Sequence, residues 1–299
     1  MNYYNEIKEQ LINNEVYKKV KDYSKNRNEL ETYYNVGKLI IEAQGGETRA
    51  KYGDNLIKEY SKKLTFELGK GYNFSALTRM KKFYLMFEKV ATVSQLLTWS
   101  HYVELLVLDD LNQINYYIDI SIKNNLSIRQ LRDKIKSNEY ERLSDKTKNK
   151  LITHNNLGVT DFIKNPIIIK NNYNYEEISE KMLKKLILED MDNFLEELGE
   201  GFSYIKNEYK IKLGDNYNYI DLLLFNYVYN CFVVVELKIT ELKKEHIGQI
   251  KLYMNYIDKN IKKIYQDNTI GIIIVKKDNK FVMEYCSDDR IFRTIYSLT

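Results

Sequence analysis

Two different periods divide the chain. Over its first half, apolar residues recur three and four positions apart, as in EIKEQLINNEVYKKVKDY and LETYYNVGKLIIEAQ, the spacing of an amphipathic helix. The pattern predicts a helical domain over residues 1–145, with Gly45 and Gly46 stopping its second helix. DNLIKEYSKKLTFELG, the turn GKGYN and FSALTRMKKFYLMFEKV follow, the last with Asn73 as its N-cap. Further helices are expected from about Trp99 to Leu108, from about Asn112 to Asn124, and over SIRQLRDKIKS behind a Ser127 cap. A lysine-rich polar stretch from about Tyr140 to Thr153 reads as a linker. Pro166, the only proline, reads as part of an extended segment just past it.

The second half changes period. EEISEKMLKKLILEDMDNFLEELG reads as one helix of more than twenty residues ending at Gly199. Strand-like runs follow in FSYIKNEYKIKL, YIDLLLF and CFVVVELKI, then a helix near KKEHIGQIKLYMNYIDKNI, then strands in TIGIIIVKK and near KFVMEYC. The order α-β-β-β-α-β-β predicts a small mixed sheet flanked by helices over residues 160–299. The fold class expected is two-domain, a helical domain followed by α/β.

Composition narrows the classes. Hydrophobic residues at 44% and aromatics at 13% can build a core, which excludes wholesale disorder. Of the 46 basic residues 38 are lysine, and there are 27 tyrosines, a bias that low-GC coding accounts for as well as function does. The net charge of +4 is uneven: residues 1–150 carry 26 basic against 20 acidic residues, and the remainder 20 against 22. A basic front half permits a polyanion partner, and acidic surplus behind it permits a carboxylate metal site. Cys231 and Cys286 both sit in apolar stretches, so buried thiols in a reducing compartment are expected. A polar N-terminus and the lack of any long apolar run predict a cytoplasmic protein away from membranes. His101, His154 and His246 are too scattered for a zinc site or a Ser-His-Asp set, and no phosphate-binding glycine loop occurs.

Charge inside apolar strands needs a reason, because burying it is costly unless it is paired or metal-bound. NYIDLLLFNYVYNCFVVVELKIT holds Asp221, Glu236 and Lys238 in such strands. With a turn centred near Val228, antiparallel pairing sets Asp221 opposite Glu236 or one position off. Glu236 and Lys238, two apart, share a face. Adjacent carboxylates repel and call for a cation, and hard oxygen ligands suit Mg²⁺ or Mn²⁺. The lysine can orient water or stabilise developing phosphoryl charge. On the next helix Gln249 and Tyr253, four apart, share a face that could meet this site. Glu-x-Lys alone carries no weight in so lysine-rich a chain, since Glu6-Ile7-Lys8 repeats it on a helix. A surface Glu–Lys pair is the plainer reading, and placement argues against it.

The arrangement D-(x)14-E-x-K after an apolar run resembles the PD-(D/E)xK nuclease core. FLEELGEGF, YIDLLLFNYVYNCFVVVELK, GQIKLYMNYID, and in the front half YYNVGKLI and SKKLTFELGKGYNFSALTRMKKFY, resemble the DUF1016 family, also called YhcG, over nearly the whole chain. That resemblance implies a DNA-directed, metal-dependent nuclease fold behind a helical module. It matches Asp221, Glu236 and Lys238 to the core acid, acid and lysine, and Gln249 and Tyr253 to a Gln-x-x-x-Tyr helix. It also implies a further acid in a Leu-Glu pair on the helix before the sheet, where this chain has Leu183 followed by Lys184. Glu180, Glu189 or Glu197 could stand in. Glu189, mid-helix in LILEDM, is the choice, giving Asp221, Glu236 and Glu189 as metal ligands.

The front half offers helix, glycine-containing turn, helix in LIKEYSKKLTFELGKGYNFSALTRMKKFYLM, which fits a helix-turn-helix-like unit. Ser75, Thr78, Arg79 and Lys82 then fall on one face of the second helix as nucleic-acid contacts. An ordinary lysine-solvated bundle is the competing reading. Three functions follow: a metal-dependent nuclease acting on DNA, a catalytically weakened nucleic-acid-binding or assembly subunit of a DNA-processing or defence system, and a helical scaffold that assembles as a homo-oligomer.

Overall fold

The computed structural model describes residues 3–19, 25–46, 54–88, 94, 96–153, 155–175, 177–286 and 288–299. The expected helix ends at residues 20–23 and 89–90, His154 and the side chain of Cys286 lie outside the described residues. Backbone packing divides the chain into two compact units, Met1–Tyr140 and Glu141–Thr299.

The first unit is helical: α1 (Tyr3–Lys19), α2 (Lys25–Ala43), α3 (Asp54–Leu68), α4 (Phe74–Phe87), α5 (Trp99–Leu105), α6 (Leu111–Lys123) and α7 (Ile128–Lys136). The three-and-four spacing puts Ile7, Leu11, Val36, Ile40, Leu64, Leu77 and Met80 into one buried cluster. Asn73 Oδ1 accepts from the Ala76 N–H at 2.9 Å, and Ser127 Oγ from that of Gln130 at 3.3 Å, so both expected caps form. Gly37 lets α2 approach α4 backbone to backbone. A Cβ there would stand 2.2 Å from the Met80 carbonyl oxygen.

The second unit is a six-stranded mixed sheet in the order β1-β6-β5-β4-β3-β2. Its strands are β1 (Ile167–Ile169), β2 (Phe202–Leu213), β3 (Asn216–Asn226), β4 (Cys231–Glu241), β5 (Asp267–Lys277) and β6 (Ile291–Leu298). β2, β3 and β4 pair antiparallel as hairpins, whereas β4–β5, β5–β6 and β1–β6 are parallel. The parallel part needs cover on both faces, which the nearly continuous apolar runs CFVVVEL and TIGIIIV anticipate. On one face α9 (Glu180–Glu189) and α10 (Met191–Leu198) bring Leu183, Leu186, Ile187, Phe194 and Leu198 onto Leu222, Leu224, Val233 and Val235. On the other, α11 (Lys244–Asn260) brings Ile247, Ile250, Tyr253, Met254 and Ile257 onto Leu223, Val234, Ile273 and Val275. Gly271 on β5 lies directly under α11: a Cβ there would stand 2.7 Å from Met254 Sδ and 2.8 Å from Ile250 Cδ1.

Four expectations differ from what forms. The polar stretch read as a linker contains α8 (Asp145–Ile152), capped by Ser144, with Thr147 fully buried and donating to the Asp161 carbonyl at 2.8 Å. The single long helix is broken into α9 and α10 at Asp190 (φ −132°, ψ 55°), whose carboxylate pairs with Lys170 at 2.6 Å. Its apolar spacing runs unbroken from Ile187 to Phe194, so periodicity cannot show the break. KFVMEYC forms a helix, α12 (Lys280–Cys286), and the strand lies further on at β6, paired to β5 from Gly271↔Ile291 onward. Finally, Ile167–Ile169, just after Pro166, joins the sheet as β1 instead of staying an isolated extended segment.

Candidate active site

The β3–β4 hairpin is in the expected register. Its ladder runs from Asn226↔Cys231 to Leu222↔Val235 and ends there, so Asp221 and Glu236 are the next residues on strands that part. Asp221 Oδ2 takes the N–H of Leu237 at 3.0 Å, an acceptor for a backbone donor just past the end of the ladder. Glu236, 2% exposed, accepts from Lys238 Nζ at 3.3 Å through Oε2. Its Oε1 is buried and has no hydrogen-bond partner among the described residues. Burial, and then the charge of Asp221, push the Glu236 carboxyl up to about 8 against the pull of Lys238.

α9 closes one side. Glu180 Oε2 lies 3.8 Å from Lys238 Nζ, and Lys184, one turn on, donates to Asp221 Oδ1 at 2.8 Å and also pairs with Glu208. Burial lowers the Lys184 ammonium, but the hydrogen bonds it donates to Asp221 and Glu208 outweigh it and the net shift is upward. On the α11 side, Gln249 Nε2 donates to Tyr253 Oη at 3.0 Å. Burial raises the Tyr253 hydroxyl, the Gln249 bond opposes, and the charges of Glu236, Lys238 and Asp221 reach it in turn. His246 caps the start of α11, its Nδ1 accepting the Lys243 N–H at 3.2 Å, and burial and Lys238 lower it.

Glu189 is placed elsewhere. It accepts from Tyr173 Oη at 2.9 Å and lies 3.6 Å from Lys185. Nine residues past Glu180 at about 100° each, it faces the opposite side of α9, roughly 13 Å along the axis. The acid of α9 that reaches the site is Glu180. Glu197 is occupied too, buried against Arg142 in a two-pronged ion pair and accepting the Ile168 N–H at 2.9 Å. Two participants escaped the sequence reading, the ion-pairing role of Lys184 and Glu208 opposite it. The available signal was the four-residue step from Glu180 to Lys184, which puts both on one helix face. In the first unit, Ser75, Arg79 and Lys82 are exposed on one face of α4, and Thr78 donates back to the Phe74 carbonyl at 2.8 Å.

A divalent cation has been expected of these carboxylates. Among the described residues no group of three or more His, Cys, Asp or Glu side chains is arranged to hold one. Two adjoining carboxylates, one with a buried oxygen lacking a partner, still fit a hard cation that draws its other ligands from water and phosphate. His101, by contrast, is structural, closing a cap with Thr98 and lying 3.0 Å from the Leu126 carbonyl. Cys231 is buried, and burial pushes its thiol up to about 11.

A helix-flanked mixed sheet with an Asp and a Glu-x-Lys where its central hairpin parts defines a PD-(D/E)xK nuclease-like unit. The family model described as the YhcG PDDEXK nuclease domain matches residues 160–297, and that of the DUF1016 N-terminal domain matches residues 7–142. The chain belongs to the DUF1016/YhcG family. It is 27% identical over 282 residues to the YhcG protein of Escherichia coli (strain K12), covering 81% of this chain and 75% of that one. Among solved structures it is similar to a repair endonuclease from Pyrococcus abyssi (23% identity, 40% of this chain and 47% of that one, TM-score 0.29). It is also similar to EndoMS in complex with double-stranded DNA (19% identity, 43% and 48%, TM-score 0.29). The chain spans about half the length of these two structures. Among the described residues no helix is long and apolar enough to cross a membrane.

Proposed function

We propose that the chain is a divalent-metal-dependent nuclease that hydrolyses phosphodiester bonds of DNA. The observation that carries this reading is the Asp221–Glu236 pair, with Glu236 Oε1 buried and partnerless beside Lys238. Mg²⁺ or Mn²⁺ held by Asp221 and Glu236 would supply charge stabilisation for a phosphoryl oxygen. Lys238, only 13% exposed, brings a fixed ammonium to the same point, and Glu180 helps hold it there. That ammonium can orient a water toward phosphorus and offset the negative charge that grows in the transition state. Gln249 and Tyr253 present a hydrogen-bonded polar pair from α11, suited to positioning the water or a phosphate. The exposed Arg79, Lys82 and Ser75 on α4 suit phosphate contacts that give affinity without sequence selection.

The test is cleavage of plasmid and linear DNA by the purified protein with Mg²⁺, with Mn²⁺ and with chelator. Cleavage should need the metal and fall at least about a hundredfold in Asp221→Ala and in Glu236→Ala. Cleavage that survives both changes sinks the reading. One observation favours a second reading, a nucleic-acid-binding subunit with weakened chemistry: Lys184 stands where the family resemblance implies an acid, and it pairs with Asp221. Salt-dependent DNA binding without metal-dependent cleavage supports that alternative, and robust turnover excludes it.

A further inference from the structure

Lys184 is held by two acceptors of unequal exposure. Its side chain is 13% exposed, Asp221 is 16% exposed, and Glu208 is 53% exposed. Both oxygens of Asp221 already have donors, Oδ1 from Lys184 at 2.8 Å and Oδ2 from the Leu237 N–H at 3.0 Å. The oxygen left without a partner in the pair belongs to Glu236, on the other strand. A cation entering between the two carboxylates therefore meets an ammonium already seated on one of them. Like charges so close, in a half-buried setting, oppose each other strongly. The ammonium also has somewhere to go, because Glu208 holds it from the solvent side.

We infer that Lys184 is a built-in counter-ion that competes with the divalent cation for Asp221 and retires onto Glu208 when the cation binds. The inference rests on the metal-site reading given above. It makes the resting site electrostatically self-sufficient at Asp221, whose charge Lys184 offsets, so the fold does not require the metal there. It also makes the chain a weak binder by construction, loaded only where cation or phosphate-bound cation is plentiful.

Mn²⁺ titration of the full-length protein without nucleic acid, read by water-proton relaxation or calorimetry, tests this. Lys184→Met keeps the stem of the side chain and removes its charge. It should tighten Mn²⁺ binding at least tenfold, about 1.4 kcal/mol. Lys184→Arg, which keeps the charge, should bind as weakly as the parent, and Glu208→Gln, which leaves the ammonium wholly on Asp221, should bind several-fold more weakly. Glu236→Gln identifies the site by losing the binding. Far-UV spectra and melting curves check each fold, with Lys184→Gln as the substitute should the methionine variant not fold. Equal or weaker Mn²⁺ binding by the folded Lys184→Met protein, with Glu236→Gln still abolishing it, overturns the counter-ion role and leaves the metal site standing. Absence of Glu236-dependent Mn²⁺ binding in parent and variants alike overturns both.

Discussion

Replacing Glu236 by glutamine should stabilise the metal-free protein, and the gain should grow with pH. Burial and the neighbouring Asp221 raise the Glu236 carboxyl from 4.5 to about 8. Between those values the folded chain holds one proton more than the unfolded chain, so stability falls as pH rises. The contribution is fully present below about pH 4.5 and lost as pH climbs through about 8. At about 1.4 kcal/mol per pH unit, the whole span is at most ~5 kcal/mol. Glutamine stays neutral throughout, so its advantage is near zero at pH 4.5 and roughly 3 kcal/mol at pH 7. The pull of Lys238 is already contained in that figure, because it opposes the rise of the carboxyl to about 8. The expectation at pH 7 is therefore a gain of up to roughly 3 kcal/mol. Carboxylates held low elsewhere, such as Asp288, Glu104 and Glu67, titrate alike in both proteins and cancel in the difference. Urea unfolding with chelator at pH 5, 7 and 8.5, followed by far-UV circular dichroism, measures it. Hydrogen exchange of β3 and β4 amides assigns it to the second unit. A difference that is flat in pH, or a variant less stable than the parent at pH 8.5, refutes the reasoning.

The remaining expectations concern both units. Arg142→Ala should cost about 3–5 kcal/mol, because it strands the buried carboxylate of Glu197, and a loss under 1 kcal/mol in urea unfolding would contradict that. Gly37→Ala forces α2 off α4, so a loss of about 1–3 kcal/mol is expected. Trp99, the only tryptophan, packs at a tilt against Tyr33 and edge-to-face against Phe83 in that unit and reports it by fluorescence. If α4 meets DNA phosphates, Arg79→Ala and Lys82→Ala should each weaken binding evenly across sequences and lower the salt slope by about 1. An unchanged slope in the double variant assigns that face to another role.

Local rules made much of the fold legible. Helical spacing, the Asn73 and Ser127 caps and the equal arms of the β3–β4 hairpin all act over a few residues, and the hairpin alone put Asp221 beside Glu236. What stayed hidden depends on partners distant in the chain. Asp190 breaks a helix whose apolar spacing continues, and its partner Lys170 lies just past β1, twenty residues earlier in the chain. KFVMEYC is apolar and aromatic enough to read as a strand, yet the sixth strand is the one whose register β5 accepts. In α9 a central position favours Glu189, yet helix geometry sends Glu180 and Lys184 to the site from one face and Glu189 to the other. A lysine in an acid's place was visible as a departure, and its two anionic partners, 24 and 37 residues on, were not.

Gly271 contributes no side chain to the site and lies on the strand behind it, yet it fixes where one wall stands. Ile250 and Met254 rest where its Cβ would be, and Gln249 and Tyr253 are their immediate neighbours on α11. One added methyl group on that strand would lift the helix and carry the polar pair away from Glu236 and Lys238. The gauge of the cleft is thus set by a missing atom, on a residue that touches none of the site's chemistry.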